Sequence, residues 1–255
     1  MTTRTKKLPS KKKPTVLCLR TVKADGTAYD GFKWPALGFV EAPDWEPTVE
    51  CGHGLHGYLR GCGDADSIDW GGLFQVVKVI ESEIVDLDGK VKFPRCEVIF
   101  TGSRKGATDI LVKEYGNCSN VIGATVVVGE GQHAIAGYSG TATSTGDGGK
   151  ATAGHCGTAT SAGYYGMAMA GDRGTAMAGY GGTATTGKFG TATAGDGGTA
   201  TAGHYGTATA GVMGRISILC WDGKRNREVI GYIGENGLEP NVPYKLNEQH
   251  EFVKA

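Results

Sequence analysis

Apolar and polar residues alternate in short runs along most of this chain, and such period-two patterning predicts strands. Residues 15–22 (TVLCLRTV) alternate and are rich in β-branched side chains. Residues 73–80 (LFQVVKVI) and 83–87 read as strands, and Asp88-Gly89 is a hairpin signal ahead of 90–93. Residues 96–100 make a further strand, while 42–70, with Pro43, Pro47 and scattered Gly, reads as loop. The run 121–128 is β-rich and leads directly into a periodic block. Beyond that block, 216–221, the turn Asp222-Gly223 and 227–233 read as a hairpin, and a second short pair is expected within 237–253.

The periodic block repeats the unit G-T-A-T-A-G-x-x. Its first Gly recurs at 140, 149, 157, 166, 174, 182, 190, 198, 206 and 214, eight residues apart except for two spacings of nine. A degenerate first copy starts at Gln132. A fixed short period is the mark of a solenoid. T-A-T-A is the strand and G-x-x-G the turn. The second-position column is Ala in all ten copies (134, 142, 151, 159, 168, 176, 184, 192, 200 and 208), whereas the first Thr column admits His133, Lys150 and Met167. A column that accepts Lys faces water, so Ala packs inward and Thr outward. The Gly that opens each turn is expected to serve either a positive φ or a close backbone approach.

Eight residues close no full coil, so two units, sixteen residues, are expected per coil, giving about five coils. Alternate units then share a face. One face presents Thr141, Thr143, Thr158, Thr160, Thr175, Thr191, Thr193, Thr207 and Thr209, broken by Met177. The other is mixed, with His133, Ile135, Lys150, Met167 and Met169 among its Thr. Both nine-residue units fall on the regular face. One edge is bulky (Tyr138, His155, Asp172, Lys188 and His204, each followed by another side chain); the other is rich in Gly. The expected layout is mostly β: a basic tail at 1–13 expected to be disordered, an α+β domain at 14–131, the β-solenoid at 132–213 and a C-terminal β cap at 214–255.

Composition adds little beyond this. Net charge is zero, and residues 14–131 hold 11 basic against 17 acidic residues, which disfavours a nucleic-acid partner except through the tail. No run approaches the ~18 apolar residues of a membrane span or the ~7–15 of a secretory signal. Seven Cys, an odd number, read as free thiols, and together these features lead to an expected cytoplasmic location.

Units such as 178–185 (AGYGGTAT) resemble the octapeptides of bacterial ice nucleation proteins, sixteen-residue solenoids with outward T-x-T motifs. The resemblance covers 132–213 and implies that the Thr pairs order water. The layout as a whole, with Cys51-Gly-His-Gly-Leu-His56 ahead of Gly-rich repeats, is similar to uncharacterised phage and prophage proteins. A third resemblance joins Gly54-Leu-His56 and the strand at 73–80 to ADP-ribosyltransferase folds. It implies an NAD-binding role for Arg20, with Glu97 available as an acid.

Cys51, His53, His56 and Cys62 are four possible zinc ligands, but their spacing matches no standard finger; structural Cys and His are the plainer reading, and no metal or cofactor is assigned. No catalytic set emerges. The expectation is a non-enzymatic phage-type interaction or structural protein with a flat Thr face, an unidentified protein partner, and self-association through solenoid faces or edges. Ice binding is the first alternative. An N-terminal nucleotide-derivative site at Arg20, His53 and His56 is the second.

Overall fold

The computed structural model describes residues 13–117 and 119–255. The basic tail, apart from Lys13, therefore lies outside the described residues, as does Cys118. The N-terminal part contains β1 (Thr15–Val22), β2 (Gly38–Glu41), β3 (Leu55–Leu59), β4 (Leu73–Ile80), β5 (Val85–Asp86), β6 (Val91–Phe93), β7 (Arg95–Gly102) and the helix α1 (Arg104–Tyr115). The strands form one antiparallel sheet in the order β2-β7-β4-β1-β3-β6-β5. Two strands, β2 and β3, lie where loop or nothing was expected. Residues 81–83 form a 3₁₀ turn, so the strand expected at 83–87 is reduced to β5.

The helix has ordinary punctuation. Ser103 caps its N-terminus by accepting from Gly106 N at 3.2 Å, and Gly116 ends it at φ 88°. Its Ala107, Thr108 and Leu111 are buried, and α1 packs on β4, β7 and the first solenoid strand.

That strand is β8 (Thr125–Val128), so the stack of coils begins one strand before the periodic units. There follow β9 (His133–Ala136), β10 (Thr141–Ser144), β11 (Lys150–Ala153), β12 (Thr158–Ser161), β13 (Met167–Ala170) and β14 (Thr175–Ala178). Then come β15 (Thr183–Thr186), β16 (Thr191–Ala194), β17 (Thr199–Ala202), β18 (Thr207–Ala210) and β19 (Arg215–Trp221). Even-numbered strands pair in parallel from β8 to β18, and odd-numbered strands from β9 to β19. The result is a two-sheet β-solenoid of about six coils with roughly 16 residues per coil, one coil more than the repeat alone implies. At ~4.8 Å per coil the stack is roughly 29 Å long.

All ten second-position Ala are 0% exposed. The fourth position is buried too, but Ser144 and Ser161 occupy it in the two nine-residue units, where Ser161 Oγ donates to Gly149 O at 2.9 Å. The extra residues, Thr145 and Ala162, bulge outward in adjacent coils. The turn-opening Gly residues resolve to close approach rather than positive φ: a Cβ on Gly154 would sit 2.8 Å from the backbone of Gly137 in the coil below. The left-handed residue is instead the third of G-x-x-G. It is Gly131, Gly148, Gly181 and Gly197 at most turns of one edge, but Ser139, Cys156, Arg173, Phe189 and Tyr205 at the other.

Both growing ends at the C-terminal side are covered. β20 (Asn226–Tyr232) pairs antiparallel with β19, and the hairpin of β21 (Tyr244–Leu246) and β22 (Phe252–Lys254) pairs onto β18. One apolar core runs from Leu19, Phe74 and Leu111 through Ile122 and Val126, along the Ala columns, to Ile216, Ile218 and Tyr244.

Candidate functional site: the threonine face

The even-numbered sheet brings the expected Thr residues into two rows. Parallel pairing is in register, Thr141 opposite Thr158, Thr158 opposite Thr175, Thr175 opposite Thr191 and Thr191 opposite Thr207. Thr125 on β8 lies opposite Thr141 and extends this first row to six consecutive Thr. The second row reads Val127, Thr143, Thr160, Met177, Thr193 and Thr209. Along the rows the repeat distance is ~4.8 Å, and across a T-x-T pair it is about 6.6 Å, two strand residues. Hydroxyl and methyl of each β-branched Thr are held in few rotamers by the strand, so the array is rigid.

Exposure follows the expected pattern with one correction. Thr125 and Thr191 are exposed, and Thr141, Thr143, Thr158, Thr160, Thr175, Thr193 and Thr207 are partly exposed. Thr209, expected on the open face, is only 8% exposed. It lies on β18, the strand that receives the β21–β22 hairpin, so the cap closes the face at that corner. Thr125 was missed because its strand lacks the T-A-T-A signature; its only signal was the β-rich run at 121–128.

The odd-numbered sheet is irregular, as expected. Lys150, Met167 and Met169 are exposed on it, and His133 Nε2 lies 3.1 Å from Thr152 Oγ1. The edges are ordered by side chains from coil to coil. Asp147, Asp172 and Asp196 each accept, through Oδ1, from the backbone N–H of Tyr164, Lys188 and Val212 in the next coil, at 2.7–2.8 Å. On the bulky edge Trp70 stacks on Tyr138 and Tyr138 on His155, which ties the first sheet to the solenoid.

No protein-family model matches the chain, and no solved structure does. Its relatives share the repeat. The ice nucleation protein of Pseudomonas fluorescens is 35% identical over 116 residues, 43% of this chain and 10% of that protein. That of Pseudomonas syringae is 35% identical over 99 residues, 37% of this chain and 8% of the relative. That of Xanthomonas campestris pv. translucens is 34% identical over 100 residues, 38% of this chain and 6% of the relative. The chain therefore spans a tenth or less of the length of these relatives. The similarity overturns the expected cytoplasmic location, because ice nucleation proteins are surface proteins anchored at the outer membrane.

The N-terminal candidates Arg20, His53 and His56 line a common cleft of about 1280 Å³ between β1, β3 and the 23–34 and 43–54 segments. Arg20 is buried, its guanidinium carbon 3.2 Å from the centre of the Trp34 ring, and it donates to His56 O and Thr21 O. Burial lowers its pKa to about 9, so it remains a cation at neutral pH. His53 Nδ1 lies 3.7 Å from Asp44 Oδ2. Glu97 is not part of this cleft. Register pairs it with Lys78, and Lys78 with Leu17, on the face opposite Arg20. The other possible zinc ligands do not gather either. Cys51 is exposed, and Cys62 Sγ is turned to Ser119 O at 2.8 Å. Among the described residues no group of three or more His, Cys, Asp or Glu is placed to hold a metal.

Proposed function

We propose that this is a non-enzymatic β-solenoid protein that binds ice or ice-like ordered water through the Thr face of the even-numbered sheet. The observation that carries this is the row Thr125, Thr141, Thr158, Thr175, Thr191 and Thr207, six in-register residues with no interruption. A flat two-dimensional array of hydroxyls and methyls at fixed spacing holds a water layer in place, because each hydroxyl supplies one donor and two acceptor sites and each methyl excludes disordered alternatives. The similarity of the repeat to ice nucleation proteins supports the same reading. A phage-type docking rod draws on the same solenoid, but it leaves unexplained why one sheet is regular and the other is not.

Ice-affinity partitioning tests the proposal. Protein tagged on the tail and held in a slowly freezing solution is expected to be enriched in the ice fraction. Exclusion into the liquid to the same extent as a non-binding control protein removes the reading.

A further inference from the structure

The N-terminal cleft contains buried polar groups that the solenoid does not use. Arg20 is a cation with 8% exposure, and among the described residues it has no carboxylate partner and its Nε no hydrogen-bond partner. The neighbouring Cys96 thiol is pushed up to about 12 by burial, so it carries no charge at neutral pH and does not balance Arg20. Taking an unpaired guanidinium out of water costs several kcal/mol unless an anion completes it. The Nε2 of His56 is likewise buried without a partner, and it lines the same cleft. Lys23 and Lys90 are also on the wall. Lys92 is 0% exposed behind it, where it donates to Thr48 Oγ1, Glu50 O and Gly52 O and so anchors the segment carrying His53. Among the described residues Asp44 and Asp69 are the acidic ones on the lining; Asp44 faces His53, and Asp69 Oδ1 accepts from Gly71 N.

The lining also carries aromatic side chains. Phe32 and Trp34 meet edge to face at 5.9 Å, and Tyr29, also on the lining, is 90% exposed. A volume of about 1280 Å³ exceeds what an inorganic anion fills and leaves room for a ligand with a ring system, which needs roughly 300–1,000 Å³. By contrast, the smaller cavity of about 420 Å³ beside Glu83 and Arg95 has its charges already closed on each other.

We propose that this cleft binds a phosphate-bearing small molecule with an aromatic body, a nucleotide-sized ligand whose phosphate meets Arg20 and His56 while its ring rests on the Tyr29–Phe32 side. Arginine supplies parallel N–H donors to a phosphate, and the His56 ring, whose pKa is lowered chiefly by burial, adds one more in the form that carries its hydrogen on Nε2. The site is independent of the Thr face. Glu97, on the other side of the sheet, is not part of it.

Calorimetric titration of the full chain with ADP, inorganic phosphate and adenosine distinguishes the sources of affinity. ADP is expected to bind one per chain and to raise the melting temperature, with phosphate and adenosine each weaker by about tenfold or more. Tyr29→Ala, at an exposed position, is expected to weaken ADP by about tenfold through lost stacking, and His56→Gln by a similar factor. Arg20→Gln abolishes binding if it folds, as circular dichroism will show; if it does not fold, the two milder variants decide. No heat from ADP at millimolar concentration overturns the proposal, as does ADP binding that neither Tyr29→Ala nor His56→Gln changes.

Discussion

At the scale of single residues the solenoid is a steric device. The second-position Ala columns are fully buried from both sheets, so a larger side chain there has nowhere to go. Ala176→Val is expected to cost about 1–3 kcal/mol, seen as a lower urea midpoint at unchanged slope. The columns were readable from the sequence because one position tolerated Lys, His and Met while its neighbour tolerated only Ala. The site of the positive φ was not readable in that way. The periodic Gly residues advertise themselves, yet the left-handed residue of the bulky edge is Ser139, Cys156, Arg173, Phe189 or Tyr205, types that carry no such signature. A non-Gly residue in that region costs of order 1 kcal/mol or more. Ser139→Gly is therefore expected to leave stability unchanged or raise it by up to about 1 kcal/mol, measured by the same denaturation.

At the scale of elements the informative cases are the ones that periodicity hides. β3 (Leu55–Leu59) sits between β1 and β6 in the first sheet, although its surroundings are dense in Gly and Pro. Most of those residues shape the flanking loops; Gly57 lies within the strand, where a Cβ would come 3.1 Å from Leu19 O on β1. α1 lacks a strong amphipathic stripe and was not foreseen from the sequence; only its capping ends, Ser103 and Gly116, mark it. The C-terminal elements were legible as hairpins, but not that each closes a different sheet, which depends on non-local pairing. Their roles predict an outcome: removing residues after 213 bares the edges of β17 and β18 and strips the cover from the last coil, so the truncated protein is expected to form larger assemblies than the intact chain in light scattering. In the first sheet, Glu83 accepts from Arg95 at 2.9 Å and meets Lys13 at 3.2 Å, and chiefly the Arg95 hydrogen bonds hold its pKa down to about 2. A depressed carboxylate pKa stabilises the fold above the unfolded value, near 4.5, and that contribution is lost as pH falls from about 5 towards 2. Glu83→Gln is expected to flatten this acid limb in a pH series of thermal melts, leaving the neutral-pH slope unaltered.

At the scale of the whole molecule one continuous core joins the antiparallel sheet to the coils, and the repeat sits on it as a short rigid plate with unequal faces. Pairing units by sixteen was enough to foresee that inequality; register then adds Thr125 to the first row, while burial closes off Thr209 at the end of the second. The N-terminal cleft was legible only as three scattered residues; the unpaired charge of Arg20 and the orphan nitrogen of His56 emerge only when β1 and β3 are adjacent. The central claim concerns the Thr face, and the molecule contains its own control. Lys150 occupies the first Thr column on the opposite sheet, so lysine is sterically tolerated at that column. The double variant Thr158→Lys/Thr191→Lys therefore folds and places two charges in the six-Thr row, while Thr183→Lys/Thr199→Lys places them on the mixed sheet. The direct measurement is the shape and growth rate of single ice crystals in solutions of the three proteins at equal concentration. The account predicts faceted, slowed crystals for the unaltered chain and the mixed-sheet variant, and round, freely growing crystals for the Thr-row variant. Round crystals in the unaltered protein, or equal shaping by all three, would contradict it.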